Sequence, residues 1–557
     1  MITADSNRNI LVAGLLLAMF FSSLNQTVVG TAMPRIIGEL GELSLMTWVT
    51  TAYMLTSTTI VPIAGKFADL WGRRVTYIGG LVIFMLGSAL CGTSTSMVQL
   101  IIYRGIQGIG GGIMMPLAMT IVGDVFSPEE RGKWQGIMGA LFGLSSVLGP
   151  ALGGWIVDHA SWQWVFFINL PIGIMATVTI YLGLKGEKMP ADKVTIDYAG
   201  VFLLIVGTSA LLLGLNLGGT EYPWVSWQII SLLGIALVGL VLFVKAEQGA
   251  VEPILKLTLF NNRIFLVSNI LGFLLGLGMF GSIMFLPLFF QGVLGVSATT
   301  SGNTMLPMML AMMLASVIAG RLAIKFTFRT MYIAGIVLMT LAFYLLSTMN
   351  VYTSQVTAGL FITLLGAGIG IVMPVITLAV QSAFGAEQRG VATSATQFFR
   401  SIGGTIGMAV LGVIFNGYAA RVLRQDFFPA INTAPELKGN MAVNALLAGA
   451  ETEPRSLFNV LLSPGAFEAM PLDVRQTLQP LLKLALAKSL HVVFLVSMLI
   501  VACGILISLP MGKASLNPKE PKKGAAGAGK TLLANGLASD MELAAEIIPD
   551  LIDEGHL

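Results

Sequence analysis

From Asn9 almost to Met511 the chain repeats one pattern, an apolar stretch followed by a short break of glycine, proline or charged residues. A bilayer core of about 30 Å takes roughly 20 helical residues to cross. Inside lipid every backbone amide must be satisfied within its own segment, so each stretch predicts a membrane-spanning α-helix. Cutting at turn residues and charges predicts fourteen spans, starting near positions 10, 46, 75, 97, 132, 164, 199, 226, 264, 301, 330, 354, 390 and 486. Residues 10–24 lack the basic flank and small-residue cleavage site of a signal peptide, so they form the first span.

Charge gives these spans a direction. Fifteen lysines and arginines, from Lys66 and Arg73 to Arg389, fall in the short loops of one face, against Arg35 in those of the other. That bias predicts a cytoplasmic N-terminus, and an even span count places the tail from Lys513 in the cytoplasm as well. Trp48, Trp71, Trp134, Trp155, Trp162, Trp164, Trp224 and Trp227 fall near predicted span ends, as an aromatic belt would.

The chain also repeats on a longer scale. Gly108-Ile-Gly-Gly-Gly-Ile-Met-Met-Pro116 returns as Gly366-Ala-Gly-Ile-Gly-Ile-Val-Met-Pro374, and Glu129, Arg131 and Gly132 return at the same offset as Glu387, Arg389 and Gly390. Gly65-Lys-Phe-Ala-Asp69 has a fainter twin in Gly320-Arg-Leu-Ala-Ile324. The expected organisation is an all-α integral membrane protein. It comprises a six-helix half over residues 1–190, two inserted spans over 191–250, a second six-helix half over 251–511 with an outer loop at 421–485, and a cytoplasmic tail over 512–557. Parallel halves suit a transporter whose substrate site lies between them.

Composition narrows the function classes. With 55% hydrophobic and 11% charged residues and a mean hydropathy of +0.84, the chain has far more apolar surface than a soluble enzyme needs. A net charge of +3, dispersed along the chain, does not suggest nucleic acid. Cys91 and Cys503 lie inside apolar stretches as small apolar side chains, and no cofactor or metal is expected. Gly524-Ala-Ala-Gly-Ala-Gly-Lys-Thr531 satisfies the phosphate-loop pattern. Yet Pro518-Lys-Glu-Pro-Lys-Lys523 precedes it where a buried strand is needed, so a basic tail is the better reading and no enzyme is expected.

Several motifs in order identify a family. Gly65-Lys-Phe-Ala-Asp-Leu-Trp-Gly-Arg-Arg74, between spans 2 and 3, resembles the signature of the major facilitator superfamily. Arg104 followed by Gln107-Gly108-Ile-Gly110 resembles its span 4 motif, and Gly139, Gly143, Gly149, Pro150, Gly153 and Gly154 resemble its antiporter motif in span 5. Fourteen spans, Leu24-Asn-Gln-Thr-Val-Val-Gly-Thr-Ala-Met-Pro34 and Trp162-Gln-Trp-Val-Phe-Phe-Ile-Asn-Leu-Pro-Ile-Gly173 narrow the resemblance to the fourteen-span drug:proton antiporter family. The resemblance implies proton-coupled efflux of lipophilic or cationic drugs from the plasma membrane by alternating access. The partners implied are the small-molecule substrate, protons and membrane lipids, and a monomer is expected. Export or flipping of a lipid or amphiphilic metabolite is the alternative function, and a non-transporting receptor is a third class.

Each motif has its own physical reading. Gly65 allows close helix approach, while Asp69 can accept hydrogen bonds from the N-terminal end of a facing helix and pair with Arg73 or Arg74 beyond Gly72, latching the cytoplasmic side. The bland alternative is a solvated loop with topogenic arginines. Leu70 stands where the family usually has a basic residue. Span 5 glycines form a small-residue stripe that lets a helix slide closely against its neighbour.

Embedded polar groups mark the candidate centre. An arginine inside a membrane helix is costly and is usually kept with a partner. At about 1.5 Å per residue, Arg104 lies roughly 10 Å below the outer surface, and Asn25 in span 1 lies at a similar depth. The family usually has an aspartate there, as proton acceptor; asparagine cannot titrate. Asn25 is either a natural or engineered mimic of the protonated acid, or the sign of a transporter coupled differently or not at all. Gln397 and Arg400 share a helical face in span 13, lining the cavity or pairing only with backbone carbonyls. Met305, Met308, Met309 and Met312 form a flexible stripe suited to promiscuous binding or to plain packing. Asn25, Arg104, Gln107, Asn169, Gln397, Arg400, Met305 and Met309 are therefore the residues expected at the coupling site or substrate cavity.

Overall fold

The computed structural model describes residues 8–41, 45–184, 197–219, 221–433, 457–462, 472–512 and 514–515. Residues 434–456 and 463–471 of the expected outer loop and the phosphate-loop-like Gly524–Thr531 segment lie outside the described residues. Among the described residues there is no strand, only an isolated bridge between Gly218 and Tyr222.

The first half contains α1 (Arg8–Leu40), α2 (Met46–Trp71), α3 (Arg73–Gly92), α4 (Met97–Val125), α5 (Pro128–His159) and a span made of the short α6 (Trp164–Phe167) and α7 (Asn169–Gly183). Two further helices, α8 (Tyr198–Leu217) and α9 (Trp227–Gly249), precede a broken span in which α10 (Arg263–Leu275) and α11 (Gly281–Leu288) are each followed by a π-helical segment, Gly276–Phe280 and Phe289–Leu294. Then come α12 (Ala298–Leu322), α13 (Phe328–Ser347), α14 (Gln355–Ala383), α15 (Ala386–Val422), two six-residue helices, α16 (Phe428–Thr433) and α17 (Leu457–Leu462), and α18 (Leu472–Ser508). Twelve segments are long and apolar enough to cross a bilayer. α2 and α5, of 26 and 32 residues, are as long but more polar, and bring the set to the expected fourteen.

The polar breaks work as helix caps. Ser96, Asp197, Ser226, Asn262, Ser297, Thr327 and Ser354 each accept a hydrogen bond from a first-turn N–H, satisfying donors that a helix start leaves open. α2 turns into α3 through Gly72 alone, at φ 90°, a conformation that favours glycine. The last span starts at Leu472 rather than near 486, because its first turns reach beyond the apolar stretch. They carry Asp473, Arg475 and Lys483, yet bury Val474, Leu478 and Leu482 on the second half's core. The aromatic belt is incomplete as well: Trp155, Trp164 and Trp227 are exposed, but Trp162 is fully buried and donates to Glu39 Oε2 at 2.9 Å.

The internal repeat is a packing device. A Cβ on Gly108 would lie 2.5 Å from Tyr53 O of α2, and one on its twin Gly366 would lie 2.1 Å from Met308 O of α12. Gly110 likewise meets Gly80 O of α3 at 2.5 Å, and its twin Gly368 meets Gly335 O of α13 at 2.9 Å. Bare glycine thus lets α4 wedge between α2 and α3, and α14 between α12 and α13, at backbone contact. The inserted pair packs at Gly207 and Gly239, and α8 leans on both α2 and α15, with Thr208 Oγ1 donating to Thr59 Oγ1 at 3.2 Å. α1 packs on α5, and α5 runs along α12 of the other half.

Candidate functional site

Three layers of polar side chains run through the bundle. The outermost centres on Arg104, which is 1% exposed between α1, α2 and α4. Its Nη1 donates to Asn25 Oδ1 and to Gln107 Oε1, both at 2.7 Å, and its Nε donates to Val49 O at 3.3 Å. The guanidinium also lies 4.3 Å from the centre of the Tyr53 ring. Every partner is neutral. The amide nitrogens of Asn25 and Gln107 are buried without a hydrogen bond, so this layer is an arginine solvated by amides and not an ion pair.

The middle layer holds Gln397 and Arg400 of α15, both half-buried. Arg400 donates to Gln397 Oε1 and, at 3.1 Å, to Met373 Sδ of α14; Gln397 Nε2 reaches Met115 Sδ of α4 at 3.6 Å. Met115 and Met373 are twins of the internal repeat, one from each half, so this pair sits where the halves converge. The adjoining main chain packs tightly: a Cβ on Gly276, first residue of a π-helical segment, would lie 2.3 Å from Arg400 O.

The third layer closes one end of the bundle, the end rich in lysine and arginine. Asp69 of α2 accepts from the Val391 N–H in the first turns of α15 at 2.8 Å and pairs with Arg73 Nη1 at 2.5 Å. Arg73 Nε reaches Asp124 of α4 at 3.1 Å, and the same carboxylate meets Arg389 of α15 at 2.5 Å. Gln381 Nε2 of α14 donates to Met119 O of α4 at 3.0 Å. All these bonds but the two to Arg73 cross between the halves. Glycine again makes the approach possible, since a Cβ on Gly65 would lie 2.8 Å from Gly390 O, and one on Gly390 would lie 2.3 Å from Asp69 Oδ1. Arg74 places its guanidinium 3.8 Å above the Tyr181 ring. Beside this layer Lys66 donates to Glu252 at 2.5 Å, and that hydrogen bond holds the Glu252 carboxyl below the usual carboxylate range.

Other expected residues lie elsewhere. Asn169 is buried and donates to Ser88 Oγ at 2.9 Å, which pins α7 to α3. Met308 belongs to the core of the second half, Met305 and Met312 pack against that core, and Met309 is half-buried. Gly149 and Gly153 abut Thr27 and Thr31 of α1, within 1.9 and 2.1 Å of a built Cβ, whereas Gly154 faces open space. The side chain of Pro150 lies outside the described residues. Sequence reasoning missed Asp124 and Arg389 as a joint across the halves. The signal was available, because Arg389 is the repeat twin of Arg131 and Asp124 lies five residues before the first-half twin of Glu387.

Comparison with known proteins places this arrangement. A family model described as Major Facilitator Superfamily matches residues 15–408. A Multidrug transporter protein MdtP of Bacillus subtilis (strain 168) is 48% identical over 516 residues, 93% of this chain and 95% of that one. Multidrug resistance protein 3 of the same organism is 38% identical over 423 residues, 76% of this chain and 82% of its own. Among solved structures, a crystal structure of the human organic anion transporter MFSD10 (TETRAN) shares the fold, with a TM-score of 0.55 at 16% identity over 89% of this chain and 99% of that one. On these matches and its fourteen long helices, the chain belongs to the Major Facilitator Superfamily and is a multi-pass membrane protein.

Proposed function

We propose that the chain is an efflux transporter of the plasma membrane that carries lipophilic small molecules by alternating access. The observation that supports it best is the ion cluster Asp69, Arg73, Asp124 and Arg389, which joins the two halves at one end. Bonds between halves that must separate are what a gate needs, and charged pairs held this far from water are strong only in one geometry, so they favour a closed state sharply. The names of the multidrug relatives support efflux as the direction. The lysine and arginine bias assigns the closed end to the cytoplasm, with both termini on that side. The site between the halves is then reached from the outside in this state. At position 25 we assign Asn25 the part of a fixed neutral acceptor for Arg104, not of a proton carrier.

Asp124→Asn tests the gate, because it removes the charge shared by Arg73 and Arg389; breaking one side of a buried pair costs about 3–5 kcal/mol. Export of a hydrophobic dye from cells should fall at least tenfold at equal expression, and wild-type export would overturn the gate. Orientation is tested at two exposed loop positions. Val225→Cys should react with an impermeant thiol reagent added to intact cells and Val251→Cys should not; the reverse pattern would invert the topology.

A further inference from the structure

We infer that the exported substrate is an organic anion, held by Arg400 and driven outward by the membrane potential; the inference rests on the efflux reading and names the substrate class of its central cavity. The charge distribution carries it. Each aspartate and glutamate within α1–α15 and α18 lies within three residues of a helix end, so among the described residues no carboxylate stands at mid-helix. A lipophilic cation, the substrate expected from the family resemblance, would find no counter-charge there. Two guanidinium groups do stand within the helices, Arg104 nearer one end and Arg400 in the middle layer. Arg104 is sealed, 1% exposed, and held by Asn25, Gln107, the Val49 carbonyl and the Tyr53 face.

Arg400 is different on each count. It is half-buried, and among the described residues its hydrogen-bond partners are one amide oxygen and one thioether sulfur, the latter a weak acceptor. Counting from Arg389 at 1.5 Å per residue, it lies roughly 16 Å above the closed gate, near the bilayer midplane. A mid-membrane arginine is costly without a counter-ion, and its planar fork matches a carboxylate, sulfonate or phosphate. Met115 and Met373 flank it from the two halves, offering polarisable surface to a variable apolar body beside the anionic head. The π-helical segment against its main chain is of a kind often found at functional sites.

Anion transport also accounts for position 25. An inside-negative potential expels a monovalent anion with a driving force worth roughly a fifty-fold gradient per 100 mV. No titrating acceptor is needed for that cycle, and an asparagine that only holds Arg104 suffices.

The purified chain, reconstituted in phosphatidylethanolamine–phosphatidylglycerol vesicles, should move carboxyfluorescein toward the positive side of a potassium–valinomycin potential. A pH step without potential should move little. Arg400→Met and Arg400→Gln should each raise the KM for carboxyfluorescein at least tenfold, and Arg400→Lys should stay within about threefold. Transport of ethidium but not carboxyfluorescein overturns the inference and leaves the efflux reading standing. An unchanged KM in both folded charge-free variants overturns it, as does transport that follows pH and ignores potential. If the protein moves none of the probes, the efflux reading falls and this inference with it.

Discussion

Substituting Gly390→Ala should open the closed end without removing any charge. An alanine Cβ would stand 2.3 Å from Asp69 Oδ1 and 2.8 Å from its Cγ, where ordinary contact begins near 3.4 Å. The carboxylate is held by Arg73 Nη1 at 2.5 Å, so the relief has to come from α15 moving away by roughly 1 Å. That motion stretches the 2.8 Å bond from the Val391 N–H. A hydrogen bond to a charged group contributes about 1.5–3 kcal/mol, so the ratio of open to closed molecules should rise roughly 10- to 150-fold. Ser394 reports it, because it is fully buried behind Gly65 in the same seam. In a protein with Cys91→Ala and Cys503→Ala, alkylation of Ser394→Cys from the basic side should accelerate by that factor when Gly390→Ala is added. A folded double variant that alkylates at the parental rate would refute the claim that Asp69 and the start of α15 hold the gate.

Three further outcomes follow from the geometry. Asn25→Leu removes an acceptor 2.7 Å from a buried guanidinium and should cost about 1.5–3 kcal/mol, read as a lower Tm, while Asn25→Asp should make export depend on pH where the parent is flat; two flat profiles would end the idea that position 25 can couple protons. Gly149→Val should lower both Tm and export because Thr27 stands in its way, whereas Gly154→Ala should do neither, and equal effects would show that the stripe is not read through α1. The Lys66–Glu252 bond lowers the folded pKa of Glu252, so its contribution is present at neutral pH and is lost as pH falls through that lowered value. Half exposure limits it to at most about 1 kcal/mol. Glu252→Gln should therefore be slightly less stable than the parent at pH 7 and equal to it near pH 3, and a constant difference would argue against a charged contact.

The spans and the depth of Arg104 were legible in the sequence because both follow from counting. Lipid forces a fixed helix length, so positions 46 and 97 predict starts that the structure places at Met46 and Met97. The same rise per residue puts Asn25 and Arg104 level, and they meet at 2.7 Å. Counting fails where a helix leaves the bilayer, as in the first turns of α18, since no apolar constraint marks residues that pack on protein while facing water. It fails also for direction around a helix. Asp124 and Arg389 meet across 265 positions of sequence. The partner of a side chain depends on which helices are neighbours, and hydropathy carries no record of that.

The halves are chemically unequal where they meet, and in the proposed cycle the inequality sets how the molecule would swing. Asp69 has Ile324 as its repeat twin, so the carboxylate that fastens α2 to α15 has no counterpart at that position of α12, which faces α5 at the twin seam. Released at the charged side, the halves turn like a door about its other edge, and a slit grows between α2 and α15. α8 leans on both of those helices along this slit. In the proposed cycle the inserted pair is thus the weatherstrip of the door: when the slit widens, acyl chains would meet α8 first.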